Sequence, residues 1–194
     1  MRLEKYITDE YTFKTILDDD EKRELFDLLD NNCSQIKKEL KKAGRFLFRG
    51  YKLSVDPFTI ITPRLDRNPK NTNIVLHMRA DVLFREIFGW PCRDGVFTAS
   101  SSSVADNYGH VCFFFPYDGY EYVWSPEVWD FFDTSQRYEK NYGGPGLEIL
   151  IKTYKDTDIE KAIRSGGMEI SFKCDKYVLV NDKYTNDMKK WLRS

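Results

Sequence analysis

Between Asp18 and Gly44 the apolar positions Leu25, Leu29, Cys33, Ile36 and Leu40 recur every three or four residues, which predicts helix with one buried face. Acidic residues open this stretch, lysines close it, and Gly44 follows, an order that suits a helix macrodipole and a glycine C-cap. Asn31-Asn32 can divide it into two helices. The period then changes. RFLFRGY (45–51) predicts a buried strand, and 53–76, with Pro57, Pro63 and Pro69, a long irregular connection with short extended pieces. Residues 78–88 predict a helix ended by Gly89-Trp90-Pro91. Residues 96–99 predict a short strand, 101–108 a short helix before Gly109, and VCFFF (111–115) a fully apolar strand stopped by Pro116. The aromatic stretch 117–146 predicts loop, with Trp124-Ser125-Pro126 turning into a helix. Leu147, Ile149 and Ile151 alternate with other residues and predict a strand. A short helix is predicted over 158–164, and two adjoining strands over 168–173 and 177–180.

Helices followed by strands with intervening short helices make an α+β pattern. The expected organisation is a helical segment, 1–44, packed on an α+β domain, 45–194. No strand, Gly-rich turn and helix follow one another in the manner of a dinucleotide or phosphate loop. Lys and Arg number 30 against 31 Asp and Glu, a net charge of −1, which excludes nucleic-acid binding through bulk charge. No apolar run approaches a membrane span. MRLEKYITDEY lacks the apolar core of a secretory leader, so a cytoplasmic protein without a membrane partner is expected. The near-neutral total conceals segregation. Seven bases fall between Lys37 and Lys52, whereas Asp118, Glu121, Glu127, Asp130 and Asp133 share 117–133 with no base. Cys33, Cys92, Cys112 and Cys174 show no paired spacing, and with only His77 and His110 beside them no metal site is expected. A Cys92 or Cys112 nucleophile with either histidine has no local signature, and buried apolar thiols are the simpler expectation. Aromatic residues make 15% of the chain, so core, binding surface or both must absorb them.

Three segments place polar residues beside core-like sequence. In Phe48-Arg49-Gly50, strand alternation turns Arg49 away from the phenylalanines, and its planar fork suits phosphate or carboxylate; Gly50 permits close backbone approach. In Phe97-Thr98-Ala99-Ser100, the two hydroxyls share a face, and Ser101–Ser103 can cap the helix carrying Tyr108. After Gly166-Gly167, Met168, Ile170 and Phe172 take the core face and leave Glu169 and Ser171 opposite. Singly, these residues also suit an internal ion pair, a helix cap and an exposed edge charge.

An Arg on an early strand, an aromatic followed by Thr98 and Ser100 on a middle strand, and a Glu opening a late strand together resemble the ADP-ribosyltransferase superfamily, in its Arg–Ser–Glu subgroup. The likeness runs from about Arg45 to Asn181, includes Val104-Ala105, Tyr108 and the Tyr177–Val180 strand, and extends in style to members encoded by tailed phages. It implies two small, mostly antiparallel sheets forming an NAD cleft, and transfer of ADP-ribose from NAD to an acceptor or to water. Glu169 would be the catalytic carboxylate. Arg49 and Gly50 would hold the phosphate side, Thr98 the nicotinamide ribose, and Ser100 would support their strand. Tyr108 would stack on the nicotinamide, and Tyr122 and Trp124 would form a lid or acceptor surface. Arg64 and Asp66 would be minor adenosine contacts. NAD is the implied substrate, with a macromolecular or small-molecule acceptor and no metal. Gly167 stands where arginine-modifying members carry Glu or Gln, and Arg49 where poly-ADP-ribose polymerases carry His. A different class of function is a degenerate member serving as a binding or assembly module.

Overall fold

The computed structural model describes residues 16–64 and 73–194. Helices α1 (Asp19–Asn32) and α2 (Ser34–Ala43) realise the periodic stretch, broken at Cys33. Asp18 starts α1 in a capping box: its carboxylate accepts from Glu21 N–H, and Glu21 returns the bond to the Asp18 backbone. Cys33 has no such side chain to offer α2. Asp118, from a distant turn, supplies the missing acceptor to the N–H groups of Ser34 and Gln35 (3.2 and 2.8 Å). Gly44 closes α2 at φ 67°, where a side chain would strain the backbone.

Strands β1 (Phe48–Tyr51) and β2 (Phe58–Ile61) precede helix α3 (Ile74–Phe88) and a 3-10 turn, Cys92–Asp94. β3 (Val96–Thr98), α4 (Ser102–Asp106), β4 (His110–Pro116), β5 (Glu121–Trp124), α5 (Phe131–Tyr142), α6 (Gly146–Ile151) and α7 (Ile159–Arg164) follow. β6 (Ile170–Lys173), β7 (Tyr177–Asn181) and α8 (Thr185–Arg193) complete the chain. All pairings are antiparallel, in a four-stranded sheet of order β1-β4-β7-β2 and a three-stranded sheet of order β3-β6-β5. The expected α+β class with two small antiparallel sheets is therefore present.

Phe113 and Phe115 of β4 turn to one side of the larger sheet, where Phe46 and the α8 residue Trp191 meet them edge-on at 4.8 and 5.3 Å. Leu25, Leu29, Ile36 and Leu40 belong to the same core, so the N-terminal helices are packed as a layer on this sheet. Phe114 turns the other way and meets Phe172 of β6 (5.3 Å), joining the two sheets. The small sheet is covered on its far face as well, by a second cluster containing Ala80, Phe84, Cys92, Val123 and Phe131. Ser171 is consequently buried, and its hydroxyl donates to the Cys92 carbonyl at 2.5 Å.

Several sequence expectations change. The alternation at 147–151 belongs to α6, whose Leu147, Leu150 and Ile151 are buried at helical spacing. Within 117–146, β5 and α5 replace the expected loop, and the helix begins at Phe131, five residues beyond Pro126. The adjoining strands 168–173 and 177–180 part into different sheets as β6 and β7. Asn73 caps α3 four residues earlier than composition suggested. Ser101 occupies the N-cap of α4, yet its hydroxyl bonds Ser103 Oγ (2.7 Å) and makes no capping bond.

Candidate functional site

Glu169 lies one residue before β6, and its N–H donates to the Val128 carbonyl (3.1 Å), which ties the strand start to the loop after β5. Its carboxylate Oε1 accepts a hydrogen bond from Arg93 Nη1. Arg93 sits in the 3-10 turn, anchored by its own N–H on Asp81 Oδ1 (2.9 Å). Its guanidinium lies 4.2 Å from the ring centroids of both Phe97 and Phe131. Only 10% of the Arg93 side chain and 15% of the Glu169 side chain are exposed. The weakly hydrated guanidinium thus lies over two phenyl rings while its Nη1 meets the acid, an arrangement for which arginine is better suited than lysine. Arg93 Nε is buried without a hydrogen-bond partner.

Two further groups surround this pair. Tyr108, just past α4, remains largely exposed; partial burial, the Asp130 and Glu169 charges and a hydrogen bond to Asp130 raise its phenol pKa. Asp130 is itself fixed as the N-cap of α5 through Asp133 N–H (2.9 Å). Tyr154 is buried, its hydroxyl has no partner, and desolvation followed by the charge of Glu169 pushes its pKa well up.

Arg49 on β1 and Glu169 at the start of β6 flank the β3 strand at the seam between the sheets. Phe48 and Ala99 exchange backbone hydrogen bonds of 2.7 and 3.0 Å, and Thr98 stands opposite Ile170, so the next step of the register sets Ala99 opposite Glu169. The two side chains do not pair. Arg49 Nη1 donates to the Phe97 carbonyl (2.6 Å) and its guanidinium lies 5.8 Å from the Tyr177 ring, while Glu169 meets Arg93 over the Phe97 ring. Phe97 is thus the common neighbour, with its backbone serving one arginine and its ring the other. Arg49 Nε is also buried and unpartnered.

Gly50 has a clear physical role. A Cβ there would lie 2.8 Å from Tyr108 Cβ and overlap the Ala105 carbonyl oxygen, so only glycine lets α4 and Tyr108 settle on β1. Thr98 and Ser100 are buried: Thr98 Oγ1 donates to the Ile170 carbonyl (3.4 Å), and Ser100 Oγ accepts from Gly166 N–H (3.1 Å). Both serve the strand carrying Glu169 through backbone groups; neither bonds its carboxylate. Trp124 lies in the core, and Tyr122 is half-buried on the same strand. Trp124 is 3% exposed and donates to the Thr157 carbonyl (2.8 Å), while Tyr122 packs on Phe172 and accepts from Ile159 N–H, because β5 is an inner-facing strand of a covered sheet. Arg64 is exposed at the surface, and Asp66 lies outside the described residues.

Arg93 had no sequence signal, being 76 positions from its acid. Asp130 and Tyr154 were equally unmarked. Cys92 and Cys112 are buried thiols pushed up by desolvation, Cys112 to about 11, which leaves neither poised as a nucleophile. His77 faces Asp81 and Asp94, three side chains that could hold a metal ion. A shallow hollow of about 370 Å³ lined by Gln35, Glu39, Tyr120, Tyr122, Asp158, Ile159 and Glu160 is acidic; of the residues expected from sequence it includes Tyr122, but none of Arg49, Tyr108 or Glu169. Its charge disfavours a dinucleotide phosphate, so the Glu169 cluster remains the stronger candidate. Among the described residues no helix is long and apolar enough to cross a membrane. Comparisons with family models, curated proteins and solved structures find no match for this chain.

Proposed function

We propose that the chain cleaves the nicotinamide–ribose bond of NAD and transfers ADP-ribose to an acceptor, or to water, with Glu169 as the catalytic carboxylate. The observation that supports this reading is the seam at which the strands of Arg49, Thr98–Ser100 and Glu169 lie side by side, Ala99 in register between Phe48 and Glu169. Strands about 4.8 Å apart bring three segments distant in sequence within the length of a dinucleotide. Gly50 adds to this by letting Tyr108 pack beside the same seam.

In this reading NAD ionises at C1′: nicotinamide leaves with the bonding electron pair, and positive charge develops on the ribose. An ionised Glu169 stabilises that charge and accepts a hydrogen bond from the ribose 2′-hydroxyl. Arg93 engages Oε1, which leaves Oε2 to face substrate. Tyr108 offers an exposed ring to the nicotinamide, and Arg49 supplies positive charge for the pyrophosphate. The acceptor then adds to C1′ and gives up its proton. The proposed cofactor is NAD as substrate, and the proposed setting is the cytoplasm.

A second reading has its own support. Both arginines and Glu169 already have internal partners, as expected of a binding or assembly module whose cleft has lost its chemistry. Incubation with labelled NAD separates the two. The transferase releases nicotinamide, and Glu169→Gln loses that release while keeping an NAD-induced rise in Tm. No nicotinamide release, with no thermal shift at saturating NAD, overturns the transferase.

A further inference from the structure

Helix α3 presents His77 and Asp81, one turn apart, toward Asp94 of the turn that carries Arg93. We propose that His77 Nε2, Asp81 Oδ2 and Asp94 Oδ1 form a binding site for a divalent first-row transition cation. The site is separate from the NAD reading and does not rest on it.

His77 Nε2 lies within hydrogen-bond reach of two carboxylates at once. His77 Nε2 is 3.1 Å from Asp81 Oδ2 and 3.2 Å from Asp94 Oδ1. One nitrogen carries at most one hydrogen, which cannot point at two carboxylates from different elements. Charge-assisted N–H···O bonds close to about 2.7–2.9 Å. Some ion pairs of this chain reach that range, Lys37–Asp30 at 2.9 Å and Lys183–Asp56 at 2.8 Å among them, while others such as Lys161–Asp158 stay at 3.3 Å. Two ligands bound at about 2.1–2.2 Å and at right angles lie about 3.0–3.1 Å apart, close to the separations seen.

Charge and support agree with the geometry. His77 and Asp81 are buried, and two carboxylates outweigh any charge one imidazole can carry. Among the described residues neither aspartate forms a salt bridge with lysine or arginine. An uncompensated buried carboxylate is costly, and a divalent ion removes that cost. Asp81 is also oriented from behind, its other oxygen accepting Arg93 N–H at 2.9 Å, as ligating carboxylates commonly are. One nitrogen and two oxygens at right angles suit an octahedral ion such as Mn²⁺, and bound there the ion ties α3 to the turn that delivers Arg93 to Glu169.

The test uses the full chain, stripped with EDTA and titrated with Mn²⁺, which avoids the four thiols that would compete for Zn²⁺. Electron paramagnetic resonance is expected to show one Mn²⁺ per chain, with a rise in Tm. His77→Gln and Asp94→Asn are each expected to weaken binding about tenfold or more. The chain has two histidines, so NMR adds a readout that needs no variant: bound Mn²⁺ broadens His77 ring signals at a lower ratio than those of His110. Absence of stoichiometric binding, unchanged affinity in both variants that fold, or equal broadening of the two histidines overturns the proposal.

Discussion

Arg93 donates to Glu169 from a guanidinium that lies over the rings of both Phe97 and Phe131, so the acid at the start of β6 is paired with a cation packed among aromatic rings. The pair is largely buried, and removal of either member leaves the other desolvated without its counter-charge. Arg93→Ala is expected to destabilise the protein by about 3–5 kcal/mol. Replacing both residues together, as Arg93→Met with Glu169→Leu, is expected to cost less than the sum of the single changes, since no charge is then stranded. Urea denaturation of the four proteins measures this coupling; additive costs would show that the two side chains do not sense each other.

How much of this could be read beforehand follows from the range of each interaction. The face formed by Leu25, Leu29, Cys33, Ile36 and Leu40 is a local pattern, and so is VCFFF; the first is buried throughout and the second from Cys112 to Phe115. LEILI at 147–151 fits helix and strand alike, and tertiary packing decides it: Gly146 lies against the Tyr138 backbone, where a Cβ would stand 2.6 Å from its carbonyl carbon, so α5 and α6 pack closely. The acidic aromatic stretch was opaque because sequence does not tell that the small sheet is covered on both faces, which buries Val123 and Trp124 of its edge strand β5. The Arg49, Thr98 and Glu169 segments were visible as short local motifs. Arg93 was not, since its meaning comes only from a partner brought in by the fold.

The close seat of α4 on β1 predicts a specific cost at Gly50. Gly50→Ala forces a methyl group into the Ala105 carbonyl and Tyr108, and backbone cannot yield as a side-chain tip can. Overpacking of this kind is expected to destabilise by about 1–3 kcal/mol and to shift Tyr108. Gly44→Ala is the control: no atom lies within 4 Å of its Cβ, and only the φ of 67° is strained. Both variants lose stability, but only Gly50→Ala is expected to weaken the NAD-induced thermal shift. Equal NAD responses would separate Tyr108 from the nucleotide.

The four cysteines are free, and their setting predicts inert thiols. Burial pushes Cys33 and Cys92 strongly up, Cys112 reaches about 11, and half-buried Cys174 reaches about 12 through burial and the Asp175 charge. The thiolate is the reactive form, so at pH 8 about one thiol in a thousand or fewer is reactive in the folded chain. Mass spectrometry after iodoacetamide is expected to show no modification of folded protein under conditions that label all four sites in urea. The rate on folded protein should rise about tenfold per pH unit until the fold itself loosens. Rapid labelling of any site at pH 8 would mean that its thiol is not in the buried setting described.

Tyrosines supply the last test, at alkaline pH. Tyr138 donates to the Glu127 carboxylate, and that bond, followed by burial, lifts its pKa from 10.0 to about 12. Tyr184 is raised by burial and by its bond to Asp56, and Tyr120 chiefly by burial. The folded state therefore keeps protons that the unfolded chain releases near pH 10. The unfolded state binds fewer protons at alkaline pH, so stability must fall as pH rises, beginning near 9 with the buried thiols and steepening from 10 through about 12 as the phenols join. Urea midpoints taken between pH 8 and 12 are expected to decline from about pH 9 and to drop more steeply above 10. Tyr138→Phe should show a shallower drop than the parent, because one of the raised phenols is gone. A midpoint that stays level through pH 12 would show that the phenols ionise as freely in the fold as outside it.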